Sequence, residues 1–283
     1  DPAGQALIRW RIATNGDAGM GYGDLMKALE EFNGWPDTSK IEDQAEITIT
    51  RSSLTSDERI AWLLARGPRT GEGVLALADA YNSQAKRDDM IRVIREAWRT
   101  RVMSAGAAAT IQVQYAGDLT AEDHFARADM FLWRADTKSA QALLPKLTAG
   151  RKKVIEARIA LMKNVKNVDK TVNAVPSEYI DDPGLLYDRA RWAERKGRQS
   201  DELSYLLRIN GEQAPAVGRE DIWGEKQSVM RRMIRERDYQ KAYQLAAGHG
   251  LLSGEAFRDA EWIAGWLALE KLGRAVIDSI SQP

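Results

Sequence analysis

The stretch Asp88-Asp-Met-Ile-Arg-Val-Ile-Arg-Glu-Ala-Trp-Arg-Thr100 decides the class of this protein. Met90, Val93, Ile94, Ala97 and Trp98 recur at i, i+3, i+4, i+7 and i+8, while Arg92, Arg95 and Glu96 fall between them. An α-helix advances 100° per residue, so this spacing gathers the apolar side chains on one face and turns the charges to water. Working outward, the same spacing returns in Leu25, Ala28, Leu29 and Phe32, in Val74, Leu77, Ala78 and Tyr81, and in Phe125, Ala128 and Leu132. Thr55 with Glu58 has the spacing of a capping box, and Thr120 with Asp123 places an acid in the first turn of the next helix. Gly117, Gly150, Gly197 and Gly273 follow periodic segments, where C-terminal caps are expected. Glu46-Ile-Thr-Ile-Thr50 and Thr110-Ile-Gln-Val-Gln-Tyr115 alternate with period two. Each is isolated from any pairing strand, and both are read as helical.

The second half repeats one theme. Arg127–Trp133 leads into Ser139–Leu144, Arg189–Trp192 leads through Arg198 into Leu203–Leu207, and Arg231–Tyr239 leads into Ala242–Ala247. Each unit is a helix, a short polar turn and a second helix, which is the logic of a helical-hairpin solenoid of irregular period. The expectation is therefore an all-α superhelix forming one scaffold domain over residues 1–283. In the last helix Trp262, Trp266 and Leu269 cover one side and Ala260, Ala264 and Leu267 another, which predicts a helix sandwiched between neighbours.

Composition narrows the function. The chain has 283 residues, 44% hydrophobic and 29% charged, the mix of a globular protein rather than a disordered one. Its 41 basic residues balance 41 acidic ones, so no long-range field favours nucleic acid or an anionic membrane. Without cysteine there are no disulfides, thiolate metal sites or cysteine nucleophiles. Two histidines, His124 and His249, do not suffice for a multi-histidine metal centre. No apolar run is long enough to span a bilayer and no secretory signal is recognisable, so a soluble chain with any export signal already removed is expected.

The remaining chemistry-bearing residues have structural readings. Gly19-Met-Gly-Tyr-Gly23 lacks both the preceding strand and the following lysine of a phosphate loop, and reads as a turn between helices. Asp88-Asp89 and Asp181-Asp182 resemble acid/base pairs only by adjacency, and Asp182 before Pro183 reads as a turn. Of nine tryptophans, Trp62, Trp98, Trp133, Trp262 and Trp266 lie on apolar helix stripes and read as core, leaving sugar-ring stacking open to one or two of the others. His124 and His249 read as hydrogen-bonding turn residues. The cluster Arg231, Arg232, Arg235 and Arg237, interrupted by Glu236 and Asp238, reads as a solvated face with ion pairs, with polyanion binding as the alternative.

Several segments, in order, resemble the helical N-terminal U-shaped region of the soluble lytic murein transglycosylases. They are Asn33-Gly-Trp-Pro36 with Ala45-Glu46, Leu119-Thr-Ala-Glu-Asp-His-Phe-Ala-Arg127 with Asp129-Met-Phe-Leu-Trp133, and Asp182-Pro-Gly-Leu-Leu-Tyr-Asp188 with Trp192. The set continues from Trp223 through Ala242-Tyr243 and Gly248-His-Gly250 to Asp259-Ala-Glu-Trp-Ile-Ala-Gly-Trp266. The resemblance implies a periplasmic protein whose parent enzyme cleaves the bond between N-acetylmuramic acid and N-acetylglucosamine in peptidoglycan, leaving a 1,6-anhydromuramoyl end. It also implies a lysozyme-like catalytic domain as partner, expected beyond residue 283. That domain's signature, Glu-Ser followed by a Gly-Leu-Met-Gln-like segment, has no counterpart here. Ala247-Gly-His-Gly-Leu-Leu252 lacks the glutamine and fits the helical region instead. No catalytic, cofactor-binding or metal-binding residue is therefore assigned, the glycan-contacting residues are not legible, and this chain itself is expected to be inactive. Two rivals stand beside this reading: a stand-alone adaptor of helical hairpins in the cell envelope, and a self-contained glycosidase.

Overall fold

A computed structural model describes residues 1–16 and 19–273; residues 274–283 of the expected single domain lie outside the described residues. The described residues form sixteen α-helices joined by short 3-10 turns and loops, with no strand among them. Packing divides the chain into two compact units, Asp1–Asp123 and His124–Pro283.

The first unit contains α1 (Pro2–Asn15), α2 (Tyr22–Glu31), α3 (Thr38–Thr48), α4 (Ser56–Arg66), α5 (Gly71–Ser83), α6 (Arg87–Thr100) and α7 (Ala105–Gln114). Ala13, Leu25, Ala28, Phe32, Ile41 and Ala45 make a small core among α1–α3. Met90, Val93, Ile94, Ala97 and Trp98 are all buried on α6, as their spacing requires. Both period-two segments are helical. The first ends α3 and runs on into a 3-10 turn over Ile49–Arg51, and the second lies in α7 and the turn after it.

Helix α8 (Ala121–Trp133) begins in the first unit and continues into the second from His124, which goes on with α9 (Thr137–Ala142), α10 (Ala149–Met162), α11 (Val168–Val172), α12 (Pro183–Arg195), α13 (Gln199–Arg208), α14 (Arg219–Arg235), α15 (Tyr239–Ala247) and α16 (Glu255–Trp266). Its core runs through Trp133, Leu186, Leu206, Trp223, Met230 and Leu245. In both units the substantial helix packing joins elements adjacent or next but one along the chain, such as α4 with α5, α10 with α12 and α13 with α15.

One turn recurs. In α5–α6, α8–α9, α12–α13 and α14–α15 the first helix ends in a left-handed residue: Ala85 (φ 58°), Ala135 (φ 59°), Gly197 (φ 68°) and Arg237 (φ 64°). The next residue, Lys86, Asp136, Arg198 or Asp238, donates its N–H to the carbonyl five residues back, on Tyr81, Phe131, Ala193 or Met233. That residue also begins the second helix, with φ between −89° and −83° and ψ between 64° and 76°. This is the Schellman closure, in which the left-handed residue lets the last carbonyls find donors.

Helix starts are equally regular. Thr55, Thr70, Ser104, Asp136, Thr148, Asp182 and Asp238 each accept the N–H three residues on. Thr55 and Glu58 complete the capping box.

Three expectations need correction. Gly150 ends no helix: it lies in the first turn of α10, where a β-carbon would meet the Tyr179 ring at 2.4 Å. Asp182 is a helix cap rather than a plain turn residue, accepting from Leu185 N at 3.0 Å with Pro183 as the first helical residue. The helix carrying Trp262 is not sandwiched, because Trp262 is 68% exposed and Leu269 is exposed as well. Its ring lies parallel to that of Trp266, and the aromatic pair satisfies part of the stripe locally without covering it.

Candidate functional site

The densest buried chemistry lies in the second unit, where α8, α10 and α12 contribute Asp129, Arg158 and Asp188. Arg158 is 1% exposed. Its Nε donates to Asp188 Oδ2 at 2.6 Å, and its Nη1 donates to Asp129 Oδ1. Trp133 Nε1 donates to the other Asp129 oxygen at 3.2 Å, and the guanidinium lies 5.0 Å from the centre of the Trp133 ring. Gly184 makes room for it, since a β-carbon there would lie 2.3 Å from Arg158 Nη1. Burial raises the Asp129 carboxyl to about 6 against the pull of Arg158, with the nearby charge of Asp182 adding to the rise. Burial likewise raises Asp188, while the two carboxylates hold Arg158 above its usual value despite its own burial. Loss of water around the two carboxylates outweighs the pull of the shared guanidinium, which is why the acids rise.

A cleft of about 230 Å³ opens over this network, lined by Trp133, Tyr187, Asp188, Arg191, Arg195 and Asp221 among others. The Tyr187 ring packs on Trp133 at 4.8 Å between centroids. Burial keeps its hydroxyl protonated up to about 12, and desolvation raises Asp221. Arg191 is held by Glu225 through Nη1 and by Glu194, 3.9 Å from Nε; Arg195 donates to the Leu161 carbonyl at 2.8 Å. The arrangement offers an aromatic wall and fixed donors and acceptors at a concave surface, where perturbed carboxyls mark candidate sites. No catalytic dyad is assembled by these hydrogen bonds.

A second junction surrounds His249. Leu251 N–H donates to Nδ1 at 2.8 Å, so Nε2 carries the proton and donates to Glu261 Oε1 at 2.9 Å. The ring lies edge-on between Trp223 and Phe257. Beneath it the buried ammonium of Lys226 donates to the carbonyls of Ile209 at 2.9 Å and Gly248 at 2.5 Å. Burial lowers Lys226 to about 8. The two loops joined this way touch at Gly211 and Gly250, where a β-carbon on either would lie 2.2–2.8 Å from the other's backbone. His249 is thus a hydrogen-bonding turn residue, as its sequence context indicates.

The first unit has its own staples. Glu46 is buried and accepts from Arg69 N at 2.8 Å and from Thr70 N and Oγ1, both at 2.7 Å, closing the start of α5 against α3. Asp123 accepts from Thr120 and from Arg99. Burial alone would raise it, but those hydrogen bonds hold it below its usual value.

Other sequence candidates fall to structural roles. Gly21 precedes the first residue of α2, at the end of the glycine-rich turn. Asp89 pairs with Arg92, and Asp181 with Arg208. Trp98 and Trp133 are core, while Trp62 is half-buried under Arg66. In the arginine cluster, Arg232 pairs with buried Glu202 at 2.8 Å, whereas Arg231 and Arg235 face solvent. Glu194, Glu202 and Glu225 bring carboxylate oxygens within 4.8 Å of one another, but Arg191 and Arg232 already answer their charge. The periodicity of the sequence pointed to neither Arg158 nor Lys226. Their signal is a single charge set among apolar positions of a helix. In comparisons with known proteins, no family model, curated protein or solved structure matches this chain.

Proposed function

We propose that this chain is the non-catalytic superhelical region of a peptidoglycan lytic transglycosylase, an α-solenoid of irregular hairpins in the periplasm. In this reading it guides glycan strands towards the parent enzyme's lysozyme-like catalytic domain. One observation carries the proposal: the segments that resemble this family are those whose side chains fix one helix against the next. Glu46 closes α3 on α5, Asp123 ties the start of α8 to α6, Asp129 and Asp188 grip Arg158, and His249 and Gly250 lock the loop after α15. A resemblance concentrated in interhelical staples is a resemblance in the shape of a scaffold rather than in reaction chemistry. The recurrent hairpin turn and the neighbour-to-neighbour packing within each unit also suit a solenoid with a broad binding surface.

The adaptor reading has its own support in Trp262, an exposed tryptophan of the kind that anchors protein interfaces. Sedimentation with purified murein sacculi separates the two. The scaffold reading expects the chain in the pellet without release of anhydromuropeptides. A chain that stays in the supernatant leaves the adaptor, and anhydromuropeptide release by this chain alone makes it an enzyme in its own right.

A further inference from the structure

The cleft over the Arg158 network has features that select a class of ligand. At about 230 Å³ it is below the range of sites for drug-sized ligands and suits a single ring. Its wall is the half-buried ring of Tyr187, and its rim carries both signs of charge, Arg191 and Arg195 against Asp221. A rim of mixed sign attracts neither an anion nor a cation by net field. A polyhydroxylated ring, donor and acceptor at successive carbons, uses both kinds of group, and its C–H face packs on an aromatic side chain. The two arginines are already held, Arg191 by Glu225 and Arg195 by the Leu161 carbonyl, so little side-chain freedom is lost when a ligand enters.

We propose that this cleft, built by α8, α10, α12 and α14, is a monosaccharide subsite that stacks one pyranose ring of an amino sugar on Tyr187 and hydrogen-bonds it through Arg191 and Asp221. The choice of an amino sugar rests on the scaffold reading above; the choice of a pyranose rests on the cleft.

The test is titration of the purified chain with the N-acetylglucosamine–N-acetylmuramic acid disaccharide, followed by ligand-observed NMR, alongside sacculus sedimentation. Asp221→Ala and Arg191→Ala are expected to weaken disaccharide binding about tenfold each, the loss of one good hydrogen-bonding partner, with thermal melts verifying folding. Asp221 is exposed, so its variant tests the cleft even if Arg191→Ala loses stability through Glu225. Trp262→Ala is expected to bind the disaccharide as the parent does. A chain that pellets with sacculi but binds no disaccharide, or binds it equally with Asp221→Ala, overturns the subsite and leaves the scaffold reading standing. A chain that fails to pellet overturns the scaffold reading, and the disaccharide titration then judges the pyranose subsite by itself.

Discussion

Arg158 shows how one residue can organise three helices. Removing only the cation leaves Asp129 and Asp188 buried without a counter-charge, and Arg158→Met is expected to cost about 3–5 kcal/mol in chemical denaturation. Replacing all three, as Arg158→Met with Asp129→Leu and Asp188→Leu, is expected to recover most of that loss, because the desolvation of the acids disappears with them. A triple variant no more stable than the single one would show that the network does more than neutralise charge. Trp133 sits against the same guanidinium, and its indole is closed in by Gly218. Trp133→Ala is expected to lower stability by about 3–5 kcal/mol through the cavity it leaves; an unchanged melt would place the ring outside the core. In the first unit Glu46 accepts three donors at the start of α5, and Glu46→Ala is expected to cost about 2–4 kcal/mol, since charge-assisted hydrogen bonds are lost and two backbone N–H groups are left without their acceptor.

The hairpin turn is the unit of construction among the elements. Three of its four left-handed positions hold a residue with a β-carbon, Ala85, Ala135 and Arg237, where only glycine is unstrained. Ala135→Gly and Arg237→Gly are each expected to raise unfolding free energy by about 0.5–1 kcal/mol, the relief of strain exceeding the extra freedom of the unfolded chain. A fall in melting temperature for both would show that these turns are not held as described. Gly197 alone marks a left-handed closure by its residue type; at the other three, Ala85, Ala135 and Arg237 are residues that ordinarily continue a helix, so the sequence places the hairpins at Ala135 and Arg237 without showing how they close. The same limit explains α16. Its apolar stripe was correct as a pattern, but a stripe says only that a face is suited to burial, and the described neighbours leave Trp262 open.

At the scale of the whole molecule the balanced charges leave no global field, and pH acts through a few buried groups. Lys226 has its usual value of 10.5 when unfolded and about 8 when folded, so between these the unfolded chain binds more protons and stability rises with pH. Between about pH 8 and 10 the unfolding free energy is expected to gain on the order of 2 kcal/mol from this group, and Lys226→Met to lack that gain. A slope identical in both proteins would show that the ammonium is not buried as described. Helix positions, the capping box at Thr55, the buried face of α6 and the hairpin order were legible from sequence alone, because each depends on residues within about one or two turns of one another. The candidate cleft was not. Trp133, Tyr187, Arg191 and Asp221 come from three helices, and nothing in their spacing announces that they meet. Local periodicity and caps dictate helices wherever they form, so an all-helical chain of hairpins is already written in the order of the residues. Which charges are buried, which tryptophans stay exposed and where a cleft opens emerge only when the helices pack, because burial is a property of what packs on a helix, not of the helix.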